Sequence, residues 1–123
     1  MYLGGTDLTG AYLGGTDLTG AYLGYANLTR AYLGYANLTR AQLAGISLTG
    51  ADLGPADLTD ADLRDADLRH AYFGDADLRH AYLVRANLTG ELLGSAAPEG
   101  WTRDANGLLK RASTSRDSQG HEN

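Results

Sequence analysis

Leucine recurs at every fifth position from Leu3 to Leu93, with Phe73 as the single substitute, so the apolar pattern has a period of five residues. The place two residues before each central position carries alanine in fourteen of the nineteen repeats. A period of five rotates around a helix and forms no single apolar stripe, so an α-helix is excluded as the main element. Residues two apart on an extended strand point to the same side. The pattern therefore predicts short strands that turn each alanine and its leucine inward.

The two residues after each leucine must turn a corner before the next strand begins. Glycine often occupies these two places, and glycine suits such corners because it tolerates a positive φ. Short strands separated by regular corners predict a β-solenoid. The glycines in question are Gly4, Gly14, Gly24, Gly34, Gly54, Gly74 and Gly94 in the fourth place, and Gly5, Gly10, Gly15, Gly20, Gly45, Gly50 and Gly90 in the fifth.

The tandem unit Ala-(Asp/Asn/Tyr)-Leu-x-x, repeated over residues 1–95, resembles the pentapeptide-repeat family. The resemblance implies an all-β fold, a right-handed four-sided parallel β-helix with one pentapeptide on each side and twenty residues in each coil. Nineteen repeats would then form about 4.75 coils. The central side chains are expected to stack as a core ladder that includes Leu8, Leu28, Leu48, Leu68, Phe73 and Leu88.

The repeat ends after residue 95, and a small C-terminal cap is expected over residues 96–112. Trp101, Leu108 and Leu109 are the bulky apolar residues there, and Asn106-Gly107 is a tight-turn signal, so residues 101–111 are expected to form either a hairpin or a short irregular cap. This segment either covers the last coil or makes a homodimer contact, since members of the family often dimerise through C-terminal elements. Residues 113–123 are polar, and we expect them to be disordered.

The N-terminal repeats show no cap, because Met1 already occupies a repeat position. Either this open end associates with another molecule or the natural protein is longer. Residues 11–20 repeat residues 1–10 except at the first place, and residues 31–40 repeat residues 21–30 without change. Such uniform copies are typical of a structural repeat and leave little room for individual active-site residues.

A second period of ten residues lies on top of the first. Odd-numbered repeats tend to carry tyrosine before the central leucine, and even-numbered repeats carry Asp, Asn or Ser. In a four-sided coil the two kinds of repeat fall on alternating faces, so opposite faces are alike. The tyrosines either stack within the rod or contact a partner, since tyrosine is favoured in interfaces. The candidate interface aromatics are Tyr2, Tyr12, Tyr22, Tyr25, Tyr32 and Tyr35.

Leu, Ile, Val and Phe make up only 24 of the 123 residues, a content near the level that suggests disorder. The regular spacing reverses that indication, because one large side chain per side is enough for a narrow rod. The absence of cysteine excludes a disulfide framework. The chain has no long apolar run and no signal peptide, so we expect a cytoplasmic protein without a membrane contact. The net charge of −5 argues against direct nucleic-acid binding.

The sequence shows no arrangement of residues that is typical of a catalytic or metal-binding site. His70 and His80 are ten residues apart and would lie on opposite faces, where they cannot share a metal ion, and His121 lies in the tail. No Ser/His/Asp set and no phosphate-binding glycine loop is present. We therefore expect neither enzymatic activity nor a cofactor.

Six aspartates form an acidic belt around one coil and touch all four sides in turn. Some members of the pentapeptide-repeat family resemble DNA in shape and charge and bind DNA gyrase, which would make this belt a candidate partner surface. A belt around one coil differs from a line along the rod, and arginines interrupt the Asp/Asn faces. The belt consists of Asp52, Asp57, Asp60, Asp62, Asp65 and Asp67.

Three functional hypotheses follow from these patterns. The leading one is a non-catalytic scaffold or protein-interaction module of unknown partner, with a homodimer through a solenoid end as a further possibility. The alternative is a DNA-mimic binder of DNA gyrase. The most remote is an ice-ordering surface formed by threonine columns such as Thr9-Thr29-Thr49.

Overall fold

The repeats wind into a parallel β-solenoid in the computed structural model, which describes residues 1–73, 75–87, 101–103 and 109–111. Single-residue parallel bridges join strand positions twenty residues apart, from Tyr2↔Tyr22 to Asp67↔Asn87. Twenty residues are four pentapeptides, so each coil has four sides, as predicted. We number the faces by their strand positions: face 1 (Tyr2, Tyr22, Gln42, Asp62, Tyr82), face 2 (Asp7, Asn27, Ser47, Asp67, Asn87), face 3 (Tyr12, Tyr32, Asp52, Tyr72) and face 4 (Asp17, Asn37, Asp57, Asp77).

Backbone hydrogen bonds run mainly between neighbouring coils. The Leu23 N–H donates to the Gln42 carbonyl of the following coil at 2.8 Å, and the Tyr22 N–H donates to the Met1 carbonyl of the preceding coil at 3.0 Å. Each described corner is closed by a bond from the first residue of the next repeat to the central residue, such as Ala26 N–H to Leu23 O at 3.0 Å. The same bonds recur in successive coils, because every repeat presents the same backbone groups at the same places.

The corners use a positive φ at the fifth place of the repeat, as expected for the third residue of a type II turn. Gly5 has a φ of 70°, and at the same place Tyr25 and Arg30 have φ values of 62° and 61°. The prediction is wrong for the fourth-place glycines that the structure describes, because Gly24 and its equivalents are absent from the positive-φ positions. A different cause accounts for them, described below.

Pro55 is a departure from this corner geometry. It occupies the fifth place of its repeat, where its ring holds φ near −65° and rules out the left-handed conformation. The Ala56 N–H still donates to the Leu53 carbonyl at 2.8 Å, so the chain turns here through a different backbone path.

The core consists of the central side chains and the alanines that precede them, as the spacing predicts. Ala21 and Leu23 are each 1% exposed, and Ile46 fills an alanine place at 1%. Of the predicted ladder, Leu28, Leu48, Leu68 and Phe73 are buried, whereas Leu8 is half-buried because described residues cover its coil on one side only. Leu88 lies outside the described residues.

Two short strands pair after the solenoid, β1 (Trp101–Arg103) and β2 (Leu109–Arg111). They are antiparallel, with Trp101 opposite Arg111, which agrees with the predicted hairpin. Its turn, together with Leu108, lies outside the described residues. The predicted coil count, the choice between a cap and a dimer contact at Trp101 and Leu109, and the disordered tail also depend on residues outside that part and stay predictions. Within the described part, no helix is long and apolar enough to cross a membrane.

Candidate functional site

The tyrosines of faces 1 and 3 form two stacked pairs. The rings of Tyr2 and Tyr22 have centroids 4.8 Å apart and planes 11° apart, and those of Tyr12 and Tyr32 are 4.9 Å and 22° apart. The separation equals the spacing of stacked strands, so the coil itself sets it. The predicted stacking within the rod is therefore confirmed, on opposite faces.

The glycines beside these rings leave room for them. A Cβ built on Gly4 would lie 2.5 Å from Cε2 of Tyr22, and one on Gly24 would lie 2.9 Å from the Tyr22 hydroxyl oxygen. The Tyr32 ring makes the equivalent close approaches to Gly14 and Gly34. At these four places glycine leaves room for a tyrosine ring, which explains its presence without a positive φ, whereas a Cβ on Gly54 would lie 3.3 Å from Asp52 Oδ1. The signal in the sequence is a glycine two residues after a tyrosine.

Tyr25 and Tyr35 stand at corners and carry the most exposed tyrosine rings of the second coil. Their exposed fractions are 75% and 72%, and the Tyr25 ring covers the Cα of Gly45, where a Cβ would lie 2.5 Å from Cε1. Tyr22 and Tyr32 are half-buried between coils. Tyr2 and Tyr12 in the first coil are exposed by 75% and 83%. The structure thus places the six candidate aromatics as two groups on opposite sides of the rod.

The acidic belt divides into two halves with different chemistry. Asp62 accepts bonds from Nε and Nη2 of Arg64 at 2.8 and 2.6 Å, and Asp67 binds Arg69 in the same way at 2.8 and 2.7 Å. These side-chain hydrogen bonds from arginine are the main cause that lowers the pKa of both carboxyl groups. The belt on faces 1 and 2 therefore presents arginine–carboxylate pairs.

Asp65 has a partner in the following coil. Arg85 lies twenty residues later at the same corner, and its Nε and Nη2 donate to Asp65 at 2.6 and 2.9 Å. This bond lowers the pKa of Asp65. The pair is not among the features predicted from the sequence, although opposite charges twenty residues apart would indicate it once the coil length is known.

The other half of the belt, Asp52, Asp57 and Asp60, lies on face 3, on face 4 and at the corner that follows. Asp52 Oδ1 accepts from the Gly54 N–H at 2.9 Å, and Asp57 Oδ1 accepts from the Thr59 hydroxyl at 2.7 Å. Among the described residues, no arginine forms a salt bridge with any of these three carboxylates. The negative charge of the belt is therefore concentrated on two of the four sides.

Hydroxyl groups of the threonine columns donate hydrogen bonds to side chains within their own repeats. The Thr9 hydroxyl donates to Asp7 Oδ1 and the Thr29 hydroxyl to Asn27 Oδ1, each at 2.6 Å. The bond from the Thr9 hydroxyl lowers the pKa of Asp7. Hydroxyl groups engaged in this way have their hydrogen atoms directed along the protein surface, which weakens the case for an ice-ordering face.

Metal-binding groups are not found in the part of the chain that the structure describes. His70 and His80 occupy corners on opposite sides, with φ values of 62° and 63°, and no group of three metal-ligating side chains occurs there. A void of about 10 Å³ lies among leucines of the second and third coils, including Leu33 and Leu43. Its apolar lining and size, near that needed for one water molecule, leave no room for a ligand.

These features define a repeat β-solenoid. The model of the family "Pentapeptide repeats" matches residues 2–34, 26–65 and 56–90 in eight copies, and the chain belongs to this family. Among curated proteins, none matches the chain at a significant level.

Solved structures similar to the chain are themselves pentapeptide repeat proteins. One is from the Arabidopsis thaliana thylakoid lumen, with 32% identity over 64% of this chain and 59% of that one and a TM-score of 0.44. Another is HetL, involved in heterocyst differentiation regulation in Nostoc sp. strain PCC 7120, with 35% identity over 72% and 43% of the two chains and a TM-score of 0.39. The chain thus spans roughly half the length of these two relatives. QnrB1, a plasmid-mediated fluoroquinolone resistance protein, shares 18% identity over 72% and 56%, with a TM-score of 0.26.

Proposed function

We propose that this chain is a non-catalytic scaffold whose aromatic faces bind another protein. The observation that carries the proposal is the exposure of Tyr25 and Tyr35, 75% and 72%, on a backbone with φ values of 62° and 64°. A non-glycine residue is costly in this conformation. Tyrosine is also among the residues that contribute most to binding at protein interfaces. Large aromatic side chains at strained, exposed corners contribute little to the core, so a role in recognition accounts for them.

The placement of the polar side chains favours a binding role over a catalytic one. Buried polar or charged residues are absent from the described core, and the described aspartates are hydrogen-bonded or exposed at the surface. A reaction site needs convergent groups in a pocket that excludes water. The rod offers flat outer faces, which suit contact with another macromolecule.

The DNA-gyrase alternative has less support. A surface that takes the place of DNA needs an extended run of uncompensated negative charge, because phosphate charge dominates the binding of DNA to its proteins. Here Asp62, Asp65 and Asp67 are bonded to arginines, and only half of the acidic belt stays without such a partner. We therefore propose an interaction module with an aromatic contact surface.

The test is affinity capture with the wild-type chain and with Tyr25→Asn/Tyr35→Asn. Asparagine tolerates the left-handed conformation, so the variant should keep its fold. The matched control is Arg30→Asn/Arg40→Asn, which changes the neighbouring corners at φ values of 61° and 59°. We expect a partner that binds the wild-type and control chains and is lost from the tyrosine variant, verified with the two purified proteins. A partner retained equally by all three chains, or no reproducible partner, would overturn the proposal.

A further inference from the structure

The second coil presents two copies of the same surface. Residues 21–30 and 31–40 have the same sequence, and the coil places them on opposite sides of the rod. Part of their geometry is also the same: Asn27 Oδ1 accepts from the Thr29 N–H at 3.0 Å, and Asn37 Oδ1 accepts from the Thr39 N–H at 3.0 Å. The corner below the tyrosine differs, because the Tyr25 ring lies on Gly45 and Pro55 takes that place below Tyr35. The corner tyrosines differ by only three percentage points in exposure. The first coil, above both copies, is duplicated in the same way except at Met1 and Ala11.

The two copies differ at their border with the third coil. Below the first copy the strand and corner positions carry Gln42, Ser47 and Gly50. Below the second copy the same positions carry carboxylates. The bridges pair Tyr22 with Gln42 but Tyr32 with Asp52, and Asn27 with Ser47 but Asn37 with Asp57. The two corners exchange Gly45 for Pro55 and Gly50 for Asp60.

These three acidic residues are the half of the belt that no described arginine neutralises. Arg40 occupies the same corner one coil before Asp60 and forms no salt bridge with a described residue, and His80 occupies that corner one coil after Asp60. The second copy thus combines exposed aromatic rings with three carboxylates, whereas the first copy has the same rings over neutral residues.

We propose that the surface formed by Tyr32, Tyr35, Asp52, Asp57 and Asp60 binds a lysine- or arginine-bearing segment of a partner protein, and that the Tyr22–Tyr25 surface is its weaker twin. This inference rests on the proposed function and names the chemistry of the partner. A cationic side chain is attracted both by the face of a tyrosine ring and by nearby carboxylates. The duplicated surface provides the comparison, since the aromatic residues are the same on both sides, whereas the charge and the corner below the tyrosine, Gly45 or Pro55, differ.

The experiment follows the tyrosine ring signals of the full chain by NMR during titration with a blocked tetralysine peptide at low ionic strength. A blocked tetraglutamine peptide is the neutral control. We expect the Tyr35 signals to reach half-saturation at a peptide concentration about three- to tenfold lower than the Tyr25 signals, because three added charges act over a few ångströms in water. Added salt should reduce this difference.

Two exchange variants test the cause. In a Pro55→Gly background, which gives both tyrosines a glycine corner, Asp52→Gln/Asp57→Ser/Asp60→Gly gives the second copy the strand and corner residues that border the first, and the two tyrosines should then respond at equal concentrations. Its melting temperature shows that the fold is kept.

The reverse variant, Gln42→Asp/Ser47→Asp/Gly50→Asp, should bring Tyr25 to the affinity of Tyr35. The left-handed corner at Gly50, with a φ of 68°, is tolerable for aspartate, as Asp60 has a φ of 62°.

Equal responses of the two tyrosines in the wild-type chain, or no response of either at millimolar peptide, would overturn the inference. If the tyrosine variant still loses its captured partner in that case, the proposed function stands and only the cationic chemistry is wrong. If capture is also unaffected, the aromatic faces are not the binding surface and both proposals fail.

Discussion

Arg85 donates two hydrogen bonds to Asp65, the residue at the same corner one coil earlier, with Nε 2.6 Å from Oδ1 and Nη2 2.9 Å from Oδ2. By contrast, Arg64 and Asp62 are two residues apart within one repeat. The first pair forms only when the coil is wound, because twenty residues separate its members along the chain. It therefore links adjacent coils, whereas the second pair stabilises a single corner.

Stability should fall in acid because these carboxylates have a lowered pKa in the folded chain. Hydrogen bonds from arginine lower the pKa of Asp62, Asp65, Asp67 and Asp77 below the value of about 3.9 for an unfolded aspartate. A lowered folded pKa contributes stability above the unfolded pKa, and this contribution is lost as the pH falls through the folded value. We expect the free energy of unfolding to be nearly constant from pH 7 to about pH 5 and to decrease below about pH 4. Urea unfolding at a series of pH values measures it.

The control for acid sensitivity replaces arginines. Arg64→Gln/Arg69→Gln should reduce the loss of stability on acidification, since the pKa values of Asp62 and Asp67 return towards those of the unfolded chain. Arg30→Gln, at a corner without a salt bridge to a described residue, should leave the pH profile unchanged. An identical pH profile for all variants would contradict this account.

Gly45→Ala should destabilise the chain more than Gly50→Ala. Both glycines have a positive φ, 70° and 68°, so each alanine carries the left-handed cost of about 1 to 2 kcal/mol. Only at Gly45 does the new Cβ meet the Tyr25 ring, at 2.5 Å, whereas at Gly50 it would lie 3.4 Å from Arg30 Cγ. We expect an additional loss of about 0.5 to 1 kcal/mol at Gly45, measured by chemical denaturation.

The ring contact is isolated in a Tyr25→Asn background. There, Gly45→Ala and Gly50→Ala should cost the same, because the aromatic ring that opposes the Cβ is gone. A difference that persists in this background would mean that the backbone at Gly45, and not the ring, causes the extra loss.

Leu43→Ala should destabilise the solenoid by about 2 to 5 kcal/mol, since Leu43 is 1% exposed in the third coil and its truncation leaves a cavity between neighbouring leucines. Leu3→Ala, in the half-buried first coil, should cost about 1 kcal/mol because less apolar surface leaves water there on folding. The measurement is the midpoint of urea unfolding followed by far-UV circular dichroism. Equal losses at the two positions would show that burial does not set the contribution of a coil.

A gyrase supercoiling assay separates the two functional hypotheses. We expect no inhibition of supercoiling and no protection from a quinolone at micromolar protein, because arginines pair with half of the acidic belt. The variant Arg64→Gln/Arg69→Gln/Arg85→Gln, which removes those partners, serves as the comparison. Inhibition by the wild-type chain would favour the DNA-mimic hypothesis, and a gain of inhibition in the variant alone would show that pairing suppresses it.

The sequence by itself determined the winding of the chain. A leucine at every fifth place and an alanine two residues earlier require strands that turn both inward, and Ala21 and Leu23 are buried accordingly. The ten-residue period likewise placed the tyrosines on opposite faces. These features follow from local spacing, because each repeat has the same backbone geometry and the same neighbours one coil away.

Only the tertiary structure decided which groups meet across coils. The role of Gly24 depends on the Tyr22 ring beside it, and its explanation by a positive φ was wrong because its place in the turn differs from that of Gly5. Asp60 and Asp65 are both corner aspartates in the sequence, yet Asp65 binds Arg85 of the following coil, whereas Asp60 forms no salt bridge with a described residue. The physical reason is that ring packing and ion pairing act over a few ångströms between side chains whose positions are set by the winding of the coil.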